Sequence, residues 1–420
     1  MTGWREVTLA EVCDRVDYGF TASASGDPEL PRFLRITDIA GDHLDWSSVP
    51  GCVVDPANLR KFELAEDDIV VARTGATVGY AKRVREHPPS VFASYLVRFR
   101  VGDDAVPGYV GAVVESPAYK TWVQQNAGGA AQPNASAKVL GAFPFQLPDK
   151  PTQQRVGSIL DAIADLIENN RRRVEVLEEM AQAIYREWFV HFRFPGYEDI
   201  AFVESAVGPM PDGWVVSTCG DELEFIGGGT PSKKVDAFWH DGTVPWYTPS
   251  DLTKSRWRFA AAPELNITES GVAKSSARKF PTGSVLMTSR ATLGVLAIAT
   301  TEATTNQGFI VVLPDDRWSP GFMREWLDAH EVELAALGTG ATFKEITKGA
   351  FKRFPFVVPA PRALDAFRSA TDPIESEIAN LEREIRVLGV MRDRLLPKLV
   401  TGQIDVSCLN LDALGEGAVA

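Results

Sequence analysis

Four cysteines, Cys13, Cys52, Cys219 and Cys408, are spread over 420 residues, and no two of them form a CxxC pair. That excludes a disulfide framework or a cysteine-based zinc site and leaves reduced thiols. The five histidines are equally scattered and point to no metal site. No apolar run approaches the roughly 18 residues of a membrane span, and the opening MTGWREVTLAEV lacks a signal-peptide core, so the expected location is the cytoplasm. No Gly-Lys-Ser or Gly-Lys-Thr occurs, which removes a P-loop, and no lysine follows an acidic residue by two positions, which removes the common metal-dependent nuclease signature. Positive charge is also scarce. With 43 Lys and Arg against 56 Asp and Glu, the net charge of -13 argues against binding nucleic acid by bulk electrostatics. Local basic groups remain at Lys82, Arg83, Arg85, Arg98 and Arg100, and at Lys233, Lys234, Lys254, Arg256 and Arg258; each is most simply a solvated charged face.

What the chain does have is a repeat. Apolar or small residues recur in alternating steps of three and four at Leu160, Ile163, Ile167, Val174, Leu177, Ala181, Ile184 and Trp188, with Asn170 as the one polar member. A 3.5-residue period keeps one stripe of a long helix against a second helix. Shifting by 211 positions gives Thr371, Ile374, Ile378, Leu381, Ile385, Leu388, Arg392, Leu395 and Leu399, the same heptad near the C-terminus. The shift also carries Phe143-Pro144-Phe145 onto Phe354-Pro355-Phe356 and Met180 onto Met391. The chain is thus expected to be α+β, two copies of a globular domain followed by a long helix. The division is 1–150 for the first domain, 151–194 for the central helix, 195–213 for a linker, 214–361 for the second domain, 362–402 for the C-terminal helix and 403–420 for a tail. The residues expected at the helix interface are Ile163, Ile167, Asn170, Val174, Leu177, Ile184 and Trp188, with Ile374, Ile378, Leu381, Ile385, Leu388, Leu395 and Leu399. A buried Asn170 would fix their register at some cost in stability.

Inside the domains, strands are expected at Phe33 to Ile36, Ile69 to Ala72 and Phe92 to Val101, and a helix at Pro117 to Asn126. Loops of small and hydroxyl residues, Gly19 to Ser23 and Arg73 to Gly79, answer to Gly227 to Lys234 and Ser289 to Gly294 in the second domain. Phe225-Ile226-Gly227-Gly228-Gly229 fits the FxGxG pattern by which many methyltransferases hold S-adenosylmethionine. A self-sufficient adenine DNA methyltransferase using that segment is therefore the alternative. Such an enzyme also needs an Asn/Asp/Ser-Pro-Pro-aromatic loop to hold a flipped base, whereas the single Pro-Pro, Pro88-Pro89, stands between His87 and Ser90. No nucleophile elbow is present either. Catalysis is expected on a partner.

The segments GGTPSKKVDAFWHDGTVPWYTPSDL, TNQGFIVV, TGATFKEITKGAFKRFPF, AQPNASAKVLGAFPF and NNRRRVEVLEEMAQAIYREWF resemble the specificity (S) subunit of type I restriction-modification enzymes, in order and in both copies. The resemblance covers nearly the whole chain. It implies two target-recognition domains, each reading one half of a bipartite double-stranded DNA target, held apart by antiparallel helices that set the spacing. It implies a non-catalytic chain that binds no cofactor itself and docks modification subunits, two of them, and restriction subunits. S-adenosylmethionine, ATP and Mg would sit on those partners. By the pairing of side chains with bases and phosphates, the candidates for DNA contact are Thr21, Arg73, Thr77 and Lys82 in the first domain. In the second they are Thr230, Lys233, Lys234, Arg290, Thr292 and Lys344.

Overall fold

The computed structural model describes residues 4–41, 43–129, 133–255, 257–340, 344–407 and 409; Arg256 and Cys408 lie outside them. By contact the chain divides into two compact units, residues 1–168 with 387–420, and residues 169–386. Each unit takes part of both long helices, a grouping that the linear order of domain, helix and linker does not show.

The long helices run over Lys150–Tyr185 and Pro361–Val400. Pro151 and Pro361 stand in their first turns, where a missing N–H leaves no bond unmade. Asp149 holds the first entry, its Oδ1 accepting from the Thr152 N–H at 3.1 Å. The first helix does not continue regularly to residue 194. Its end widens into a π turn at Arg186–Val190, and the backbone turns left-handed at Phe192, φ 59°. Packing is the cause: Phe189 sits edge-on to Phe322 and Phe367, with ring centroids 5.0 and 5.2 Å away, and the helix geometry yields to that cluster.

The first unit is built on a four-stranded antiparallel sheet in the order Cys13–Tyr18, Leu96–Val101, Ile69–Ala72, Ala81–Arg83. Ile69-Val70-Val71-Ala72 shows no polar alternation because both faces are covered. Ile69 and Val71 face a core that includes Val156 and Leu160 of the first long helix and Leu396 and Leu399 of the second. Val70 and Ala72 face a smaller core with Leu34, Ile39 and Phe92. The expected strand Phe92 to Val101 is two strands, Ser90–Phe92 and Leu96–Val101, because the Leu96 N–H bonds back to the Ala93 carbonyl in a turn. Phe33 belongs to the short strand Arg32–Leu34, parallel to Ser90–Phe92.

The second unit repeats the plan with the order Phe225–Gly227, Phe309–Val312, Val285–Arg290, Thr292–Ile298. Val285, Met287 and Ile310 face the aromatic core of Tyr185, Phe322, Trp326 and Phe367. Leu286, Phe309 and Val311 face Tyr247, Leu252 and Phe280. The break before the central strand recurs: Thr304–Thr305 pairs elsewhere, and the Gly308 N–H bonds to Asn306 Oδ1 before Phe309 begins.

Within this unit the helix segments run antiparallel, since Asn170 meets Glu384 at 3.1 Å and Arg173 meets Glu377 at 2.6 Å. Asn170, Val174, Ile374, Ile378, Leu381 and Ile385 are buried there, and Leu177 is half-buried. At the aromatic end the period slips by one: Tyr185 is buried, while Ile184 and Trp188 are half-buried against the same core. In the first unit Ile163, Ile167 and Leu399 are buried, Leu388 and Leu395 half-buried, and Leu396 is buried beside them.

Candidate nucleic-acid interface

In the first unit the register Tyr18↔Val97, Ala72↔Leu96 and Val71↔Ala81 brings the turns of all four strands to one end of the sheet. The segments 19–25, 73–80 and 93–95 leave from that end. Gly128 and Asn134 join them through the bridges Thr74↔Asn134 and Gly128↔Asn134. Thr21 is exposed on the first loop. Arg73 lies over the Tyr18 ring, 4.9 Å from its centroid, and donates from Nη2 to Asn134 Oδ1 at 3.2 Å. Thr77 is half-buried, closing the 3-10 turn Gly75–Thr77, with its hydroxyl 3.4 Å from the Thr74 carbonyl. Tyr18 and Tyr95 add two exposed aromatic rings, 44% and 57% accessible.

The second unit gathers its loops in the same way. Gly227↔Ile310, Thr288↔Phe309 and Arg290↔Thr292 place four strand ends together, and Arg290↔Glu345 and Thr339↔Glu345 bring in Thr339 and Glu345. Thr230 donates from its hydroxyl to Gln307 Oε1 at 2.7 Å. Lys233, Lys234, Thr292 and Lys344 are exposed. The Lys344 carbonyl accepts from the Ala291 N–H at 3.1 Å, and Ala291 takes the left-handed φ of 66° that this tight crossing requires. Arg290 donates from Nε and Nη2 to Glu345 Oε2, at 3.1 and 2.7 Å.

Lys82 is the candidate that the fold withdraws from the loop end. It lies within its strand opposite Val70, half-buried, with its ammonium 3.7 Å from Glu115 at the end of the helix Pro107–Val114. Most of the other basic residues noted in the sequence are likewise engaged. Arg83 pairs with Asp161 and Arg85 with Asp165, each at 2.5 Å, Arg100 with Asp68 at 2.7 Å, and Lys254 with Glu264. Arg98 is buried on Asp17 and the Glu63 carbonyl. Arg258, expected on a solvated face, is buried, bound to Glu325 at 2.7 Å and to Glu375, beside Glu178. Next to it Glu382 accepts from the backbone N–H groups of Arg258 and Phe259, at 2.7 and 3.1 Å. Burial outweighs those bonds and the nearby Arg386, and pushes the Glu382 carboxyl up to about 7.

The glycines of Phe225 to Gly229 have a role in the fold. Phe225–Gly227 is a strand, and a Cβ on Gly228 would collide with the Thr305 and Asn306 carbonyls, one on Gly229 with Ser276. Gly19 stands in the same relation to Phe92 and Ala93. Close chain crossing accounts for the pattern that resembled a cofactor loop. Burial pushes the Cys13 and Cys219 thiols up to about 12. Among the described residues no cluster of three or more His, Cys, Asp and Glu is placed to hold a metal ion, and no helix is long and apolar enough to cross a membrane.

Sequence reasoning missed Tyr18, Tyr95, Asn134, Gln307 and Glu345. Asn134 and Glu345 carried a usable signal, because they occupy the same place in the two copies, 211 positions apart. The tyrosines carried none: an exposed ring at a strand end has no pattern in one sequence.

Two copies of one α+β module, each with its loops at a single sheet end and packed on segments of both long helices, make this a duplicated protein with two like loop surfaces. The profile of the type I restriction modification DNA specificity domain matches residues 1–179 and 211–365, and the chain belongs to that family. It is 32% identical over 207 residues to the type I restriction enzyme MjaIX specificity subunit of Methanocaldococcus jannaschii, covering 48% of this chain and 46% of that protein. It is 22% identical over 332 residues to the HindI specificity subunit of Haemophilus influenzae, covering 65% of this chain and 71% of that one. The match thus spans about half the length of the first relative and more than two thirds of the second. The fold is that of the type I restriction-modification system S subunit from M. genitalium, with a TM-score of 0.59 at 13% identity over 94% of this chain and 96% of that one.

Proposed function

We propose that this chain is the non-catalytic specificity subunit of a type I restriction-modification complex, in which the loop end of each unit reads one half of a bipartite duplex target. The observation that carries this reading is the repeated construction of the loop ends: in both units an arginine from the end of a central strand reaches the residue at the same repeat position, Asn134 or Glu345. Exposed Thr21 lies on the loop end of the first unit, and exposed Thr230, Lys233, Lys234, Thr292 and Lys344 on that of the second, the chemistry that meets phosphates and base edges. The long helices set the distance between half-sites. They also dock modification subunits, one on each copy of an exposed apolar pair, Val176 with Met180 and Val387 with Met391. Those subunits supply S-adenosylmethionine and the positive charge that a chain of net charge -13 lacks; restriction subunits supply ATP and Mg chemistry. The complex works in the cytoplasm, where the DNA is.

Sequencing methylated bases in cells that express this chain with its modification subunit tests the proposal. The expected result is one split sequence with a spacer of constant length. Methylation scattered without sequence, or confined to one uninterrupted short site, overturns it.

A further inference from the structure

Arg73 and Arg290 stand one step apart in the repeat: Arg73 answers to Ser289, their carbonyls accepting from the equivalent Ala135 and Ile346 N–H groups, and Arg290 answers to Thr74, each bridging to Asn134 or Glu345. Both side chains nevertheless reach the same repeat position, Asn134 or Glu345, and their charges are treated differently. The Arg73 backbone is clamped, its N–H on the Tyr95 carbonyl at 3.0 Å and its carbonyl on the Ala135 N–H at 2.8 Å. Its guanidinium rests on the Tyr18 ring and donates to the neutral Asn134 amide. Among the described residues no carboxylate pairs with it. Arg290 instead places two donors on Glu345, which cancels its charge and occupies one edge of the fork.

A guanidinium held by its backbone, a ring face and one amide has lost most of its side-chain freedom before any ligand arrives, so little more is lost on binding. Its Nε is buried without a hydrogen-bond partner, so any donation to a ligand falls to the terminal nitrogens. Guanine is the base that offers two acceptors, O6 and N7, in the major groove to such a fork. Resting on the DNA-reading function proposed above, we infer that Arg73 is a specificity-determining residue of the first unit and reads a guanine, with Tyr18 and Asn134 positioning it. Arg290, closed by Glu345, does not read guanine, and the two half-sites are recognised by different chemistry.

The experiment uses the full chain assembled with its modification subunit. Methylated sites are sequenced for the parent, Arg73→Lys, Arg73→Gln and Arg290→Gln. Both Arg73 variants should turn one guanine of one half-site degenerate, with preference falling on the order of tenfold to a hundredfold, and leave the other half-site intact. Arg290→Gln should keep every guanine. A second measurement reads the parent first: 7-deazaguanine, which lacks the N7 acceptor, is placed at each guanine of the parent's target. One position should weaken parent binding by about tenfold and leave Arg73→Gln indifferent. If Arg73→Gln lowers affinity for all sequences alike with unchanged letters, the residue is a phosphate contact and the inference fails. It also fails if no guanine responds to 7-deazaguanine, or if Arg290→Gln loses one. A parent that methylates without sequence preference refutes the proposed function itself, a result distinct from all of these.

Discussion

Asn170 donates from Nδ2 to Glu384 Oε2 at 3.1 Å across the paired helices, and Asn170 is 5% exposed while Glu384 is exposed. The polar position in the first seam is thus buried and partnered, where its repeat copy Leu381 is buried and apolar. Asn170→Leu would place an apolar group in an apolar seam, and Glu384 would regain water. Stability should rise by about 1 kcal/mol, the balance of apolar burial against one charge-assisted hydrogen bond. The same variant should loosen the register that the bond specifies. Thermal melting measures the first effect and cysteine cross-linking between the helices the second; an unchanged melting temperature rejects the argument.

Glu382 gives the second unit a pH dependence. Its folded-state pKa of about 7 lies above the ordinary glutamate value of 4.5, so the folded state holds its proton more tightly than the unfolded chain. Its contribution is fully present below pH 4.5 and is lost as pH rises towards 7. It amounts to at most about 3 kcal/mol. Glu178, raised by burial in the same cluster, acts in the same direction. Melting curves between pH 5 and pH 7.5 should therefore fall less steeply for Glu382→Gln than for the parent. Equal slopes would show that this carboxyl does not titrate in the window.

Arg258→Met would leave Glu325 and Glu375 facing each other in a buried site without their shared cation. Removing one partner of a buried pair costs about 3–5 kcal/mol. Denaturant unfolding should show a loss of that order. A loss below about 1 kcal/mol, the usual size for an exposed pair, would contradict the buried geometry.

Gly228→Ala forces a methyl group onto the Thr305 carbonyl. Overpacking of this kind costs about 1–3 kcal/mol, and the loop bearing Thr230 should shift with it. The purified parent chain should also show no heat of binding with S-adenosylmethionine, because the glycines are filled by chain rather than open to a ligand. Binding at micromolar concentration would revive the methyltransferase alternative.

The helix pair can be tested as a ruler. Leu177 and Leu388 match by repeat, but the contacts Asn170 to Glu384 and Arg173 to Glu377 show that residues opposite one another have descending partners. Seven residues inserted after Glu168 and seven before Val387, clear of the cluster of Glu375 and Glu382 on Arg258, therefore extend the pair at one height, keep both heptads and add roughly 10 Å. The methylated target should gain about 3 base pairs of spacer at about 3.4 Å each. Affinity should fall, since those pairs rotate one half-site about the DNA axis. An unchanged spacer, or altered half-site letters, would show that the helices do not set the distance.

The repeat, the α+β class and both long helices were legible in the sequence because period and duplication are properties of order along the chain. Ile69 to Ala72 and Pro117 to Asn126 were legible too, as a short apolar run and a proline-led helical segment. Loop residues could be named only by type. Thr230 and Arg290 stood out as a hydroxyl and a guanidinium, but nothing local showed that one is bonded to Gln307 and the other to Glu345.

By itself, then, the sequence determined that there are two modules, that each carries glycine-containing loops, and that a heptad seam joins two helices. Only the tertiary structure decided which charges remain available. Lys82, Arg83, Arg98 and Arg258 look like surface groups in the sequence, yet each is drawn to a carboxylate that is distant along the chain. Arg73 is left with an asparagine. The physical reason is that the helical and strand periods arise from neighbours within a few residues, whereas a charge is cancelled by whichever group folding brings within about 4 Å.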